Sequence, residues 1–403
     1  MSVHDIGLHF GDDLAGLGSA LDRLLDGFRP APALLALGEP THGAEEFPRL
    51  RNQVLRHLVE HHGYRSIAIE SDHIAGTVVD DHVATGAGDL DDVLAAGFTH
   101  EFGTLRGNRE LLAWLREHNA GADPEERVRF YGFDGPFEIT GAPSPRASLT
   151  AAHAYLAEHL PRVPYDAGDL DALLGDDDAW THPEVMMDPA HSIGDTPEAR
   201  RLRLLADDVL SVYGFEAPTL IAATSDDAYF RAHAHARTAR AVLRYHAVLA
   251  SVSPARMPTL LGLRDALMAE HLRAIAAAEE RRGPCLVFAH NAHVQRARSH
   301  MPWWGEEDGL HWWSAGALTA ASDLGGRYRL IVSEHGGDGD ADDSLQGVLA
   351  GAVPGRAFFP AAPLADALAD ARDLRVPSRQ GHIPLEAAEL RGADAVAFVR
   401  VAG

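Results

Sequence analysis

An α/β fold, with a mainly parallel central sheet flanked by helices and a helical insertion over one edge, is predicted by three observations. First, short apolar runs stop abruptly at polar turns: LLAL at 34–37, SIAIE at 66–70, VRFYGF at 128–133 and CLVFA at 285–289. Runs of this length bounded by turn signals read as buried strands. Second, the early runs are each followed by apolar residues at helical spacing, the alternation that builds parallel sheets covered on both faces. Third, the runs end in residues that carry chemistry: Glu39, Glu70, Asp134 and His290. In a parallel sheet all these ends lie along one edge, where such sheets bind their ligands.

Taken in order, residues 1–30 read as a lead-in and one amphipathic helix striped by Leu14, Leu17, Leu21, Leu24 and Leu25. The strand at 34–37 leads into Gly38-Glu39-Pro40-Thr41-His42-Gly43, a loop bounded by glycine and proline. A helix over about 44–62 follows, with Phe47, Leu50, Val54 and Leu58 on its apolar face, histidines in its last turn and Gly63 beyond. Further helices are predicted at 74–83, 90–96 and 108–118. Near Pro136 the composition changes. Helical patterns at 148–160, 198–213, 226–250 and 264–281, joined by Pro-, Gly- and Asp-rich segments, predict a helical lobe spanning 136–283. Residues 1–135 and 284–403 would form the α/β domain beneath it. The sheet resumes at 285–289, with later strands at 328–333 and 395–399. The tryptophan-rich stretch 302–313 reads as a loop. HAHARTAR (233–240) reads as the polar face at a helix start, and GGDGDADD (336–343) matches neither a phosphate loop nor an EF-hand.

Composition narrows the function. The chain has 403 residues, 46% of them hydrophobic and 23% charged, ordinary for a globular protein. With 35 basic against 59 acidic residues the formal charge is −24, which argues against nucleic acid or an anionic membrane as partner. Cys285 is the one cysteine, so no internal disulfide framework exists and a reducing compartment fits. The N-terminus shows neither a basic nor an apolar signal region, and no apolar run approaches membrane-spanning length; a cytoplasmic location is the expectation.

Histidine beside carboxylate is the arrangement general acid–base catalysis requires, because the carboxylate orients the ring and tunes its pKa. His42 has Glu39 three residues before it and the open Gly43 after it, which suits a base that activates water. His290 and His293, three apart after a strand, suit a second acid–base pair or metal ligands. No HExxH or cysteine-based site accompanies them, so no cofactor is expected, with a divalent metal left open. Arg51 and Arg264 suit an oxyanion or carboxylate clamp, or a plain salt bridge. There is no GxSxG elbow, and Cys285 sits inside an apolar run.

Five segments together resemble the erythromycin esterase family: GEPTHGAEEFPRLR (38–51), SIAIESD (66–72), FYGFDG (130–135), LRDALMAEHL (263–272) and VFAHNAHV (287–294). Pro40 and the tryptophan-rich loop depart from the family's commonest pattern. The resemblance implies a two-lobed α/β hydrolase that opens the macrolactone ester of macrolide antibiotics without a covalent intermediate. It implies that His42 is the general base, and that Glu39, Glu70, His290, Arg51 and Arg264 act with it. His293 and Asp134 are the expected substrate-binding residues. The expected partner is a small ester or lactone; oligomeric state is not legible. Three other readings of the same residues are a tailoring enzyme for natural products, a metal-dependent hydrolase and a ligand-binding protein without turnover.

Overall fold

A computed structural model describes residues 2–138, 141–303, 306–337, 339–341, 343–369, 374–376 and 383–401. In chain order its strands are β1 (Leu8–Phe10), β2 (Leu34–Glu39), β3 (Ser66–Asp72), β4 (Arg129–Asp134) and β5 (Cys285–His290). They continue with β6 (Arg298–Trp303), β7 (Glu306–Trp313), β8 (Tyr328–Gly336), β9 (Arg356–Pro360) and β10 (Ala395–Arg400). Eight of them make one sheet in the order β1-β9-β10-β8-β2-β5-β3-β4. From β10 to β4 every neighbouring pair is parallel, while β9 runs antiparallel to β10 and β1 antiparallel to β9. This is the mainly parallel sheet the sequence predicts, extended at one side by two short strands that its patterning did not reveal.

The sheet is buried on both faces. Leu35, Leu37, Ile67, Ile69, Leu286 and Phe288 pack into one core with the helices Leu14–Leu25 and Glu46–His61. Their strand neighbours Leu34, Ala36, Ala68, Val287 and Ala289 face the other core. The small side chains on that second face let the long helix Arg256–Glu279 lie close, through Met268, Ala269, Leu272 and Ile275. The same helix lends Leu260 and Leu267 to a core of the 136–283 segment. It is therefore shared by the sheet and the helical segment, and carries residues of one to the edge of the other.

Register aligns the strand ends. Glu39 lies opposite His290 across β2 and β5, and Asp72 lies opposite Asp134 across β3 and β4. Gly38 is required for this alignment: a Cβ there would fall 2.1 Å from Asn291 Oδ1. Asn291 in turn ties β5 to β8, donating to Ser333 O (2.8 Å) and accepting from Ser333 N (3.2 Å). Gly38→Ala should therefore destabilise the fold by about 1–3 kcal/mol, as overpacking does. Urea unfolding against the parent checks this, and an unchanged midpoint would contradict the packing described.

Two sequence expectations are corrected. The 302–313 stretch is not a loop but most of a hairpin: β6 pairs antiparallel with β7, and Leu310 and Trp312 point inward while His311 and Trp313 point outward. Within it, Trp304 and Gly305 lie outside the described residues. HAHARTAR is neither a helix start nor a solvent face, because the helix begins at Asp226 and Ala234, Ala236, Arg237 and Thr238 are buried. Of the 336–343 stretch, Asp338 and Asp342 lie outside the described residues. No helix among the described residues is long and apolar enough to cross a membrane.

Candidate active site

The site begins where β2 ends. The chain turns through 40–45 before the helix Glu46–His61, and Gly43 takes φ +81°, a left-handed conformation suited to glycine. Apart from its chain neighbours, no atom of the described residues lies within 4 Å of where its Cβ would be. His42 Nδ1 and Glu39 Oε1 are 2.8 Å apart. Glu39 is buried and His42 is half-exposed, its ring 5.0 Å from Phe102 and 5.1 Å from His290. Burial raises the Glu39 carboxyl above its ordinary range against the pull of His42. Burial alone would lower His42, but Glu70 and Glu39 outweigh it and lift the imidazole above its ordinary 6.5.

Glu70, at the buried end of β3, is the hub. Its Oε1 lies 3.1 Å from Arg264 Nη2, 3.4 Å from His293 Nε2 and 3.8 Å from His42 Nε2. Its Oε2 accepts the His290 backbone N–H at 2.8 Å. Burial opposes ionisation, yet His293, His42 and Arg264 together bring the carboxyl down to about 2, so Glu70 is a fixed anion. His293 Nδ1 is held 3.0 Å from Asp265 Oδ1. Burial works against its charge, but Asp265 and Glu70 raise the ring to about 9, leaving it an imidazolium at neutral pH.

Asp134, fully buried at the end of β4, accepts from Arg264 through Nε (3.1 Å) and Nη2 (2.5 Å) and lies 3.1 Å from His100 Nε2. Burial would raise this carboxyl, but Arg264 and His100 hold it far below the usual range. Arg264 thus clamps Asp134 and Glu70 with the Nε–Nη2 edge of its guanidinium.

His290 is placed differently. Its Nδ1 accepts from Ala292 N (3.1 Å), so its Nε2 donates to Pro40 O (3.1 Å). Burial, with His42 and His293 nearby, pushes it down to about 3, and a neutral ring with both nitrogens engaged fastens the 40–45 turn. Arg51 lies beneath the site, donating to Asn108 and Asn52 Oδ1 and to Gly107 O, with Phe288 4.9 Å away. With Glu39 and Glu70 it lines a cavity of about 10 Å³, about the size of one water.

The arrangement comprises a half-exposed, carboxylate-oriented imidazole, a fixed anion, and two cations held against that anion. A model of the family described as erythromycin esterase matches residues 59–373, more than half of the chain. The chain belongs to the erythromycin esterase family. The matched span begins beyond the Glu39–His42 turn. Over 117 residues the chain is 30% identical to erythromycin esterase type II of Escherichia coli, covering 28% of this chain and only 27% of that protein. Among solved structures it is similar to a succinoglycan biosynthesis protein (TM-score 0.72, 16% identity, 100% and 96% of the two chains). It is similar to a protein from Bacillus cereus (0.71, 17%, 99% and 96%) and to a mutant of the erythromycin esterase EreC in its open conformation (0.67, 18%, 96% and 94%). These structural likenesses establish the erythromycin esterase fold.

Two further residues, without a motif in the sequence, complete the site of this member of the erythromycin esterase family. Asp265 holds His293, and its oxygens also accept from Trp312 Nε1 (2.9 Å) and Ala315 N (2.7 Å). His100 bridges Asp134 and Glu138 (each 3.1 Å) from a loop position with φ +57°.

Proposed function

We propose that the chain is a carboxylic ester or lactone hydrolase acting on a macrolide-like substrate, with His42 as general base. The observation that carries this reading is the 2.8 Å contact between Glu39 and His42 Nδ1, with His42 half-exposed at the end of β2. A ring donating from Nδ1 to Glu39 keeps its Nε2 lone pair for a water proton. The activated water adds to the ester carbonyl. The oxyanion is met by Arg264 through Nη1, since its Nε and Nη2 hold Asp134 and Glu70, while anionic Glu70 steadies the positive charge that forms on His42. Collapse of the tetrahedral intermediate breaks the carbon–oxygen bond, and the proton on His42 passes to the leaving alcohol. One water is consumed, and an acid and an alcohol result.

The test is incubation with a 14-membered macrolide and mass spectrometry of the product. Gain of one water with ring opening is expected; recovery of intact macrolide, and of simple lactones offered beside it, would remove the reading.

The pH dependence follows from the same contacts. The base form of His42 is the active one, and its pKa is raised, so kcat should climb with pH through a midpoint above 6.5. Glu39→Gln should move that midpoint down. Stability runs the other way. A histidine raised to about 9 contributes stability fully present below 6.5 and lost as pH rises through about 9, so His293 predicts a falling melting temperature over that window. Rate and melting curves over one buffer series check both signs.

A further inference from the structure

We infer that Asp22, His57 and His62 form a binding site for a divalent transition-metal ion of the zinc type, far from the catalytic edge. Asp22 lies on the helix Leu14–Leu25, while His57 lies in the helix Glu46–His61 and His62 caps its C-terminus. That second helix starts beside the His42 turn and runs back along the sheet, so about 24 Å separate its two ends. The Nε2 atoms of both histidines converge on one oxygen, Asp22 Oδ1, each at 2.7 Å. All three ligand atoms lie within 4.8 Å of one another. Ligands on a tetrahedral shell of 2.0–2.2 Å stand roughly 3.4 Å apart, so turning the half-exposed Asp22 by under about 1 Å admits an ion.

The local sequence builds this seat. Gly18 sits inside the helix Leu14–Leu25, where glycine costs about 1 kcal/mol relative to alanine. A Cβ at 18 would lie 2.5 Å from His57 Cε1 and 2.6 Å from its Nδ1. The missing side chain is what lets the imidazole lie flat on the helix and aim Nε2 at Asp22. The three groups open into a surface cavity of about 530 Å³ that Asp26, Glu60 and His61 also line. Arg56 there is paired with Glu60 at 2.9 Å, which leaves Asp22 and Asp26 to draw a cation. Two imidazoles and one carboxylate, with room for water as the fourth ligand, is a donor set matched to Zn²⁺ and poorly matched to Mg²⁺ or Ca²⁺, which take oxygen. A bound ion would pin the N-terminal helix to its neighbour and add stability by mass action.

Zn²⁺ titrated calorimetrically into the metal-stripped full chain decides it, with the visible spectrum of the Co²⁺ form as second readout. One ion per chain, a Co²⁺ absorption band and a rise in melting temperature with Zn²⁺ are expected. All three should vanish in the His57→Ala/His62→Ala double variant, and Asp22→Asn should weaken binding by about tenfold or more, at least the cost of disturbing a supporting ligand. His182→Ala/His191→Ala, which alters the looser cluster with Glu184, should keep the site, as should His42→Ala. No uptake, or uptake that survives the double variant, overturns the proposal. Should the double variant fold poorly by circular dichroism, half-exposed Asp22→Asn alone is decisive, and unchanged affinity there overturns it.

Discussion

His42→Ala should lower kcat on the ester by about 10²–10⁴-fold, the usual contribution of a positioned general base. The loss should fall on kcat more than on KM, because the ring's task is to take a proton as the transition state forms. The fold should survive. His42 is half-exposed, and its close polar contact is with Glu39. His42→Asn, which can still donate to Glu39 but cannot take a proton at neutral pH, separates orientation from basicity. Turnover assays beside thermal melts test this; an asparagine variant retaining parent-like kcat would mean that His42 does not act as a base.

Arg264→Met should be the most destabilising change at the site. Asp134 is wholly buried and Glu70 nearly so, and Arg264 reaches both, with Nη2 at 2.5 Å and 3.1 Å. Removing one partner of a buried charge pair costs about 3–5 kcal/mol, since the remaining charge keeps its desolvation cost. The pH sign is specific. In the parent both carboxyls are depressed, so their contribution is present above their ordinary values and, for Glu70, lost as pH falls through about 2. Without Arg264 both would protonate more readily. The deficit should therefore be greatest near neutral pH and shrink on acidification. Urea melts at several pH values measure this, and a pH-independent deficit would point to lost packing alone. Arg264→Lys should recover part of the stability, although one ammonium cannot reproduce the forked grip on two carboxylates.

What was legible follows from the physics of parallel sheets. β2, β3, β4 and β5 announce themselves because strands buried on both faces must be apolar throughout, and the polar residue that ends each run then marks the shared edge. Glu39, Glu70, Asp134 and His290 are legible in this way. Whether a residue there stays free for chemistry or holds its neighbours depends on hydrogen bonds formed across the fold. His290 is spent on Pro40 and Ala292, and Arg51 on asparagines beneath the site, which no spacing rule foretells. Asp265 had a signal: it stands three residues before Met268 and seven before Leu272, on the apolar face of its helix, where an acid requires a partner. His100 had none, since its loop lacks periodicity. The β6–β7 hairpin carried alternating burial from Leu310 to Trp313, hidden behind a glycine and a run of acids. β1 and β9 are too short to stand out.

The strand order has a consequence for biogenesis. β5 lies between β2 and β3, yet about 210 residues of chain follow β3 before it is made. A nascent chain at that stage holds two hydrophobic strands whose facing edges have nothing to pair with, a state prone to aggregate. Closure comes only when a distant segment slots between them, which predicts slow, high-contact-order folding. Glu39 and Glu70 meet His290 and His293 in that same late step. Completion of the sheet and assembly of the site are one event, so a chain interrupted before residue 285 should accumulate as insoluble material with no residual turnover.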